Sequence, residues 1–199
     1  MTVLYLHGLE GSPQGTKGAW VSQHYLKNTP SGPQMSAHIQ LDDHTHDVVQ
    51  MKPKIKELIP LCAQEARSAI MKRNPKVIIA SSFGAAVLLH LMQDSRIRIP
   101  SVLIAQGAVF LDVADRFPNG SRAIVIHGTA DKIIPYRQSV TLCQNSQSSV
   151  ECWPIEGGDH RLHCLTTTSR ALGLAIDKLL LEQGNKSDRE RAESIVWPQ

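Results

Sequence analysis

The chain has 199 residues, of which 42% are hydrophobic and 20% are charged, so it is long enough for one globular domain with its own core. A net charge of +3 and only 5% aromatic residues argue against a nucleic-acid-binding surface, which usually carries a basic stripe interleaved with aromatic side chains. The four cysteines have neither metal-site nor disulfide spacing, and no basic-then-apolar leader or membrane-length apolar run occurs. We therefore expect a cytoplasmic protein with reduced thiols that binds neither nucleic acid nor a membrane.

Strand-length apolar runs alternate with longer helical patterns along most of the chain. In chain order, the patterns predict a strand at 2–6, a helix at 17–27, a strand at 37–41, a helix at 53–72 that Pro60 can kink, a strand at 76–80, a helix at 83–92, strands at 101–105 and 123–127, a helix at 136–145, a strand at 150–154 and a helix at 167–182. The apolar runs are continuous rather than alternating, which is typical of parallel strands covered on both faces. We expect about six mostly parallel strands with helices on both faces, in one domain at 1–183 followed by a polar C-terminal tail at 184–199.

Three polar residues with complementary chemistry each come just after a predicted strand. Ser82 follows the strand at 76–80, Asp131 follows the strand at 123–127, and His160 follows the strand at 150–154. The carboxyl ends of parallel strands meet at one edge of a sheet, where active sites form. A nucleophile, an acid and a base therefore occur in the order serine, aspartate, histidine, as in α/β-hydrolases.

The segment Ala80-Ser81-Ser82-Phe83-Gly84 departs by one residue from Gly-x-Ser-x-Gly, the pattern of a nucleophilic serine on a tight strand-to-helix turn. Gly84 is retained, and Ala80 replaces the first glycine with another small residue. Ser81 is the rival nucleophile, but choosing it puts Ala85 where the second glycine belongs. The alternative without chemistry is that Ser82 caps the following helix.

His160 ends a Gly-Gly-Asp-His loop that can bring its imidazole over the sheet edge, whereas His163 lacks such a loop. Asp131 is the expected acid, and an ordinary turn aspartate is the alternative. Weaker candidates for the acid are Asp112, Asp115 and Asp159. His127 is expected to pack beside the site or to support it from behind rather than to react.

The loop after the first strand, residues 7–13, is rich in glycine and can direct a main-chain N–H towards the site. Acyl transfer needs donors for the developing oxyanion, and losing one such donor typically costs about 10²–10³ in rate. We assign these donors to the main chain of Leu9 and Phe83. The residues expected to contact substrate are His7, Gly8, Glu10 and His44.

Carboxylates and imidazoles crowd together at 42–47, around His44, and groups of this kind can bind divalent metals. Adjacent ligands in a polar loop are more often simply solvated, so we expect no metal site there. The same loop can instead line the substrate groove, which is the role expected for His44.

In its motifs the chain resembles the small, lidless bacterial esterases of the α/β-hydrolase superfamily. The likeness rests on the opening Tyr-Leu-His-Gly-x-x-x-Ser-Pro at 5–13, on the serine turn at 81–84, on Gly-Thr-Ala-Asp at 128–131 with Tyr-Arg-Gln at 136–138, and on Ile-Glu-Gly-Gly-Asp-His at 155–160. It departs from the family at Ala80 and Ala85, whose methyl groups are expected to narrow the site.

This resemblance implies an α/β-hydrolase fold and a cofactor-free carboxylesterase that forms an acyl-enzyme on Ser82. The connection at 107–121 is too short for a large cap, which favours an open site and short-chain esters. A thioesterase using the same three residues, or a non-catalytic binding protein that keeps the fold, are the alternatives. The expected partner is a small-molecule ester, and the sequence does not indicate an oligomeric state.

Overall fold

A computed structural model of the chain describes residues 3–36, 48–94, 96–147 and 149–184. Within these residues, five strands form one sheet in the order β1-β2-β3-β4-β5, and every neighbouring pair is parallel. The strands are β1 (Val3–Leu6), β2 (Val77–Ser81), β3 (Ser101–Ile104), β4 (Ala123–Gly128) and β5 (Val150–Ile155). The sequence predicted about six strands, and the additional one, at 37–41, lies outside the described residues.

The six described α-helices cover both faces of the sheet. They are α1 (Thr16–Tyr25), α2 (Val48–Glu57), α3 (Ile59–Arg73), α4 (Phe83–Asp94), α5 (Arg137–Gln144) and α6 (Ala171–Leu181), and a short 3₁₀ helix lies at His163–Thr166. Leu4 and Leu6 of β1 pack into the core under α2 to α5, whereas Val3 and Tyr5 pack into the core under α1 and α6. This alternation explains the continuous apolar runs, because each strand is buried on both sides.

The segment predicted as one helix at 53–72 consists of two helices in the structure. Helix α2 begins at Val48 rather than at residue 53, so Pro53 lies inside it. Helix α3 begins after Leu58, and Pro60 occupies its first turn. A proline is tolerated there because the first N–H groups of a helix have no partner within the helix, so Pro60 favours a new helix rather than a kink.

Among the described helices, none is both long and apolar enough to cross a membrane. The connection from β3 to β4 spans residues 105–122 and contains no helix, so this connection places no cap domain over the carboxyl edge of the sheet. The residues that follow β2, β4 and β5 lie at that edge.

Candidate active site

Ser82 lies on a strained turn between β2 and α4. Its φ is +50°, in the left-handed region that residues other than glycine seldom adopt, which costs on the order of 1–3 kcal/mol. The turn is held because the Ser82 N–H donates to the Ile104 carbonyl (2.8 Å) and the Ser82 carbonyl accepts from Gly107 N–H (3.1 Å). The strain presents the half-buried Ser82 side chain to the cavity at the sheet edge.

The two flanking positions of the serine motif differ in how much space they leave. A Cβ at Gly84 would come within 2.4 Å of the Leu6 carbonyl oxygen, so only glycine fits there. Ala80 lies inside β2, fully buried, and its methyl group packs into the core. Ala85 is also fully buried in the core, and neither alanine lines the cavity. The expectation that Ala80 and Ala85 narrow the site was therefore wrong.

A chain of two short contacts links Ser82 to Asp131 through His160. The distance from His160 Nε2 to Ser82 Oγ is 3.0 Å, and that from His160 Nδ1 to Asp131 Oδ2 is 2.7 Å. Because a carboxylate can only accept, Nδ1 carries the imidazole proton and Nε2 is left to accept from the Ser82 hydroxyl. The arrangement can take a proton from Ser82 and pass it on.

The loops that carry the acid and the base pack directly against each other. Ala130 N–H donates to the Gly158 carbonyl (3.0 Å), and Gly157 N–H donates to Thr129 Oγ1 (2.9 Å). A Cβ at Gly128 would lie 2.2 Å from the Gly158 oxygen, so the close approach requires glycine. These contacts explain how residues 29 positions apart in sequence come to share a hydrogen bond.

Asp131 accepts four hydrogen bonds, and its side chain is fully buried. Oδ1 accepts from the main-chain N–H groups of Ile133 (2.8 Å) and Ile134 (2.9 Å), and Oδ2 accepts from His160 and from His127 (3.0 Å). Burial alone would raise the pKa of Asp131, but the hydrogen bonds from His127, His160 and Ile134 together lower it below its ordinary value. The carboxylate is therefore charged at neutral pH and oriented by partners on all sides.

The contact between His127 and Asp131 is a feature that the sequence analysis did not assign. His127 is fully buried, so its expected position behind the site agrees with the structure, but it binds the carboxylate directly. Its Nδ1 also lies 2.6 Å from the buried Ser139 hydroxyl. The available signal was the spacing of four residues between a histidine at the end of a strand and an aspartate in the following turn.

The rival residues occupy other positions. His163 and Ser81 line the same cavity, but the contact to Ser82 Oγ comes from His160. Asp159 Oδ1 accepts from the Leu162 N–H (2.9 Å) within its own turn. The remaining two aspartates form ion pairs at the surface, Asp112 with Lys52 and Asp115 with Arg116.

The opening loop approaches Ser82, but His7 does not face the cavity. Gly8, Leu9 and Glu10 line the cavity as expected. His7 is only 1% exposed, its Nε2 accepts from Met35 N–H (3.0 Å), and it is absent from the described cavity wall. The expectation that His7 contacts substrate was therefore wrong, because its ring turns inward and binds the main chain. His44 lies outside the described residues.

Two main-chain donors at the cavity remain available. Leu9 and Phe83 both line it, and within the described part of the chain neither N–H donates to another main-chain group. Phe83 is the first residue of α4, so its N–H is one of those that a helix leaves without an internal partner. These groups are the ones assigned to the oxyanion from the sequence.

The cavity has a volume of about 740 Å³. Its described apolar lining includes Leu9, Met51, Ile55, Phe110 and Leu111. Its polar and basic lining includes Ser12, Thr16, Lys17, Arg161, His163 and Thr166. Ser82 and His160 also line it. The size and lining are typical of a site for a small organic molecule.

Neither a protein-family model nor a curated relative matches the sequence, but many solved structures resemble the fold. Mouse alpha/beta hydrolase domain-containing protein 10 has a TM-score of 0.68 at 15% identity, over 92% of this chain and 90% of its own. Est1E from Butyrivibrio proteoclasticus, solved with ferulic acid bound, has a TM-score of 0.58 at 15% identity, over 92% and 88%. A lidless serine hydrolase from Xanthomonas campestris has a TM-score of 0.50 at 16% identity, over 81% and 74%.

These similarities establish that the chain has the α/β-hydrolase fold. At such low identity the likeness extends to the fold alone. What the site does must be argued from its own residues.

Proposed function

We propose that this protein is a serine hydrolase that cleaves carboxylic esters, with short acyl chains, through an acyl-enzyme on Ser82. The observation that carries the proposal is the unbroken hydrogen-bonded chain from Ser82 through His160 to the buried Asp131, at the wall of a cavity that can admit a small molecule. A nucleophile joined to a base, which is in turn oriented by a carboxylate, is the arrangement that acyl transfer requires.

In the first half of the reaction, Ser82 Oγ attacks the carbonyl carbon of the ester while His160 Nε2 accepts the hydroxyl proton. Asp131 accepts the Nδ1–H throughout, which fixes the tautomer and stabilises the imidazolium that forms. The tetrahedral intermediate then collapses, the bond to the alcohol oxygen breaks, and His160 returns the proton to that oxygen. The acyl group remains on Ser82.

In the second half, water enters at the position that the alcohol has left. His160 removes a proton from this water as its oxygen attacks the acyl carbon, and the bond to Ser82 Oγ breaks with return of the proton to the serine. The negative oxygen of both intermediates is bound by the main-chain N–H groups of Leu9 and Phe83, which have no main-chain acceptor among the described residues.

The preference for short acyl chains rests on the lack of a cap in the described connection from β3 to β4. Long acyl chains need an enclosed apolar tunnel, and the cap that usually supplies one has no counterpart at 105–122. Ile133, which lines the cavity, is 44% exposed, so part of the apolar wall faces solvent. Short chains can be covered by Met51, Ile55 and the other apolar wall residues without such a tunnel.

The test is hydrolysis of 4-nitrophenyl esters with acyl chains of two to twelve carbons. The Ser82→Ala variant should lose activity by about 10⁴-fold or more while keeping its circular dichroism spectrum. Ser81→Ala is the matched control, since it removes a neighbouring hydroxyl that also lines the cavity, and it should retain most of the activity. Full activity in Ser82→Ala would refute the assignment of the nucleophile, and a maximum at ten or twelve carbons would refute the short-chain preference.

A further inference from the structure

Two basic residues, Lys17 and Arg161, meet at one end of the catalytic cavity. Lys17 and Arg161 both line it, and neither forms an ion pair with an acidic side chain anywhere in the described ranges. Lys17 is half-buried, and its Nζ donates to the main-chain carbonyl of Arg161 (2.5 Å). The Lys17 ammonium therefore lies against the Arg161 main chain at this end of the cavity.

Partial burial of Lys17 disfavours the charged form of its ammonium group. Burial lowers the pKa of Lys17 below its ordinary value, although the carboxylate of Asp159 acts in the opposite direction. Lysine side chains usually avoid such loss of solvent unless a negative partner offsets it. A partly buried ammonium that faces a cavity is consistent with a partner that arrives from solution.

The main chain adds to the positive character of this end. Helix α1 begins at Thr16, and Gly15 precedes it without a side-chain cap. Its first turn contains no acidic residue. The cavity is lined by Gly15, Thr16 and Lys17, so the positive end of the α1 helix dipole adds to the positive potential of Lys17 and Arg161. Within the described cavity wall the one acidic residue is Glu10, which is exposed and forms no ion pair with either cation.

The position of His160 indicates which part of an ester this end would bind. His160 must protonate the leaving alcohol, so the alcohol part lies on the same side of Ser82 as the imidazole. Arg161 directly follows His160 in the chain, and Lys17 is tied to Arg161 by the hydrogen bond to its carbonyl. The acyl part is left with the apolar wall that includes Met51 and Ile55.

We propose that Lys17 and Arg161 form an anion subsite, so that the preferred esters carry a carboxylate or a phosphate on the alcohol part. This inference rests on the proposed esterase function, since it assigns the substrate class of that same site. A carboxylate and a phosphate share the charge and the hydrogen-bond acceptors that these two side chains recognise.

Hydrolysis of two esters with the same acyl group tests the subsite: 4-carboxyphenyl acetate, which is anionic, and 4-carbamoylphenyl acetate, which is neutral and of similar shape. Lys17→Met and Arg161→Gln should each lower kcat/KM for the anionic ester by about tenfold and leave the neutral ester nearly unchanged. The effect should appear in KM, and it should shrink as sodium chloride is raised. Lys72→Met and Arg67→Gln, which change exposed cations of α3 away from the cavity, are the matched controls.

The two proposals fail in different ways. Absence of hydrolysis of both esters by the folded wild-type protein would refute the esterase. An equal loss on both esters in Lys17→Met would show that Lys17 only tethers the Arg161 main chain, and it would overturn the subsite.

A binding measurement keeps the subsite testable without turnover. In the Ser82→Ala background, calorimetry should show 4-carboxyphenyl acetate binding at least tenfold more tightly than 4-carbamoylphenyl acetate, and added Lys17→Met should abolish the difference. A set of analogues with phosphate in place of carboxylate identifies which anion is preferred. Equal affinity for the neutral and both anionic esters would contradict the inference.

Discussion

Replacing His127 with phenylalanine removes the hydrogen bonds that support Asp131 from behind. His127 Nε2 lies 3.0 Å from both Asp131 Oδ2 and the Ile134 carbonyl oxygen, and Nδ1 lies 2.6 Å from Ser139 Oγ. Since both partners of Nε2 can only accept, Nε2 carries the proton and Nδ1 accepts from the Ser139 hydroxyl. His127 therefore donates to the same carboxylate oxygen that receives the N–H of His160.

The magnitude follows from these contacts. The hydrogen bond from His127 to the charged Asp131 carboxylate contributes about 1.5–3 kcal/mol. The Ile134 carbonyl and the Ser139 hydroxyl are left buried without His127 as a partner, and each adds a penalty of about 1 kcal/mol. The free energy of unfolding of His127→Phe should therefore fall by about 3–5 kcal/mol, which for a chain of this size lowers Tm by roughly 10 °C. Because proteins of this kind usually have about 5–15 kcal/mol of stability, the variant should remain folded at 25 °C.

The assay compares kcat, KM and Tm of wild type, His127→Phe and His127→Gln on a short-chain nitrophenyl ester. Because His127 does not line the cavity, KM should stay constant, while kcat of His127→Phe should drop about 10- to 100-fold as Asp131 loses part of its orientation. Glutamine can place an N–H near the former Nε2 and should recover part of kcat. A kcat for His127→Phe equal to that of wild type, or no recovery with glutamine, would refute this reasoning.

Three further outcomes are expected. Gly84→Ala should destabilise the protein by more than about 2 kcal/mol in chemical unfolding, because the added methyl group would come within 2.4 Å of a carbonyl oxygen of β1. The control is Gly173→Ala in α6, where the nearest atom lies 3.6 Å from the added methyl group, and this variant should be neutral or stabilising. The pKa of Asp131 is lower in the folded protein than its value of about 3.9 in the unfolded chain, so the charged carboxylate stabilises the fold above that pH. This contribution is lost as the pH falls towards the folded-state pKa. The difference in unfolding free energy between wild type and Asp131→Asn should therefore shrink from about pH 7 to about pH 3, and a constant difference would contradict the linkage. A hydrogen bond with the Cys143 thiol lowers the pKa of Cys152 to about 7 and raises the pKa of Cys143. Limited iodoacetamide treatment at neutral pH should therefore alkylate Cys152 first, as detected by peptide mass spectrometry. Faster labelling of Cys143 would reverse this assignment.

The positions of Ser82, Asp131 and His160 could be predicted because each directly follows a strand. Parallel strands place all their carboxyl ends at one edge, so residues 29 and 78 positions apart in sequence meet there without any need to know the side-chain packing. The same rule led to an error at His7, which also follows a strand. Position after a strand does not specify where a side chain points, and that ring binds the Met35 N–H in the interior.

The cavity wall could not be predicted in the same way. Met51 and Ile55 reach the cavity from α2, and their apolar spacing in the sequence fits an ordinary core-facing helix equally well. Lys17 is one of many basic residues in the sequence, and its partial burial depends on the loop that follows His160. Both features arise from tertiary packing between segments that are far apart in the chain.

The most direct test of the central claim is covalent labelling of the nucleophile with a fluorophosphonate, followed by peptide mass spectrometry. The structure predicts a stoichiometric adduct on Ser82, because its hydroxyl lies 3.0 Å from His160 Nε2 and faces the cavity. Labelling should be lost in Ser82→Ala and strongly slowed in His160→Gln. An adduct on Ser81, or no adduct on the folded wild-type protein, would contradict the account.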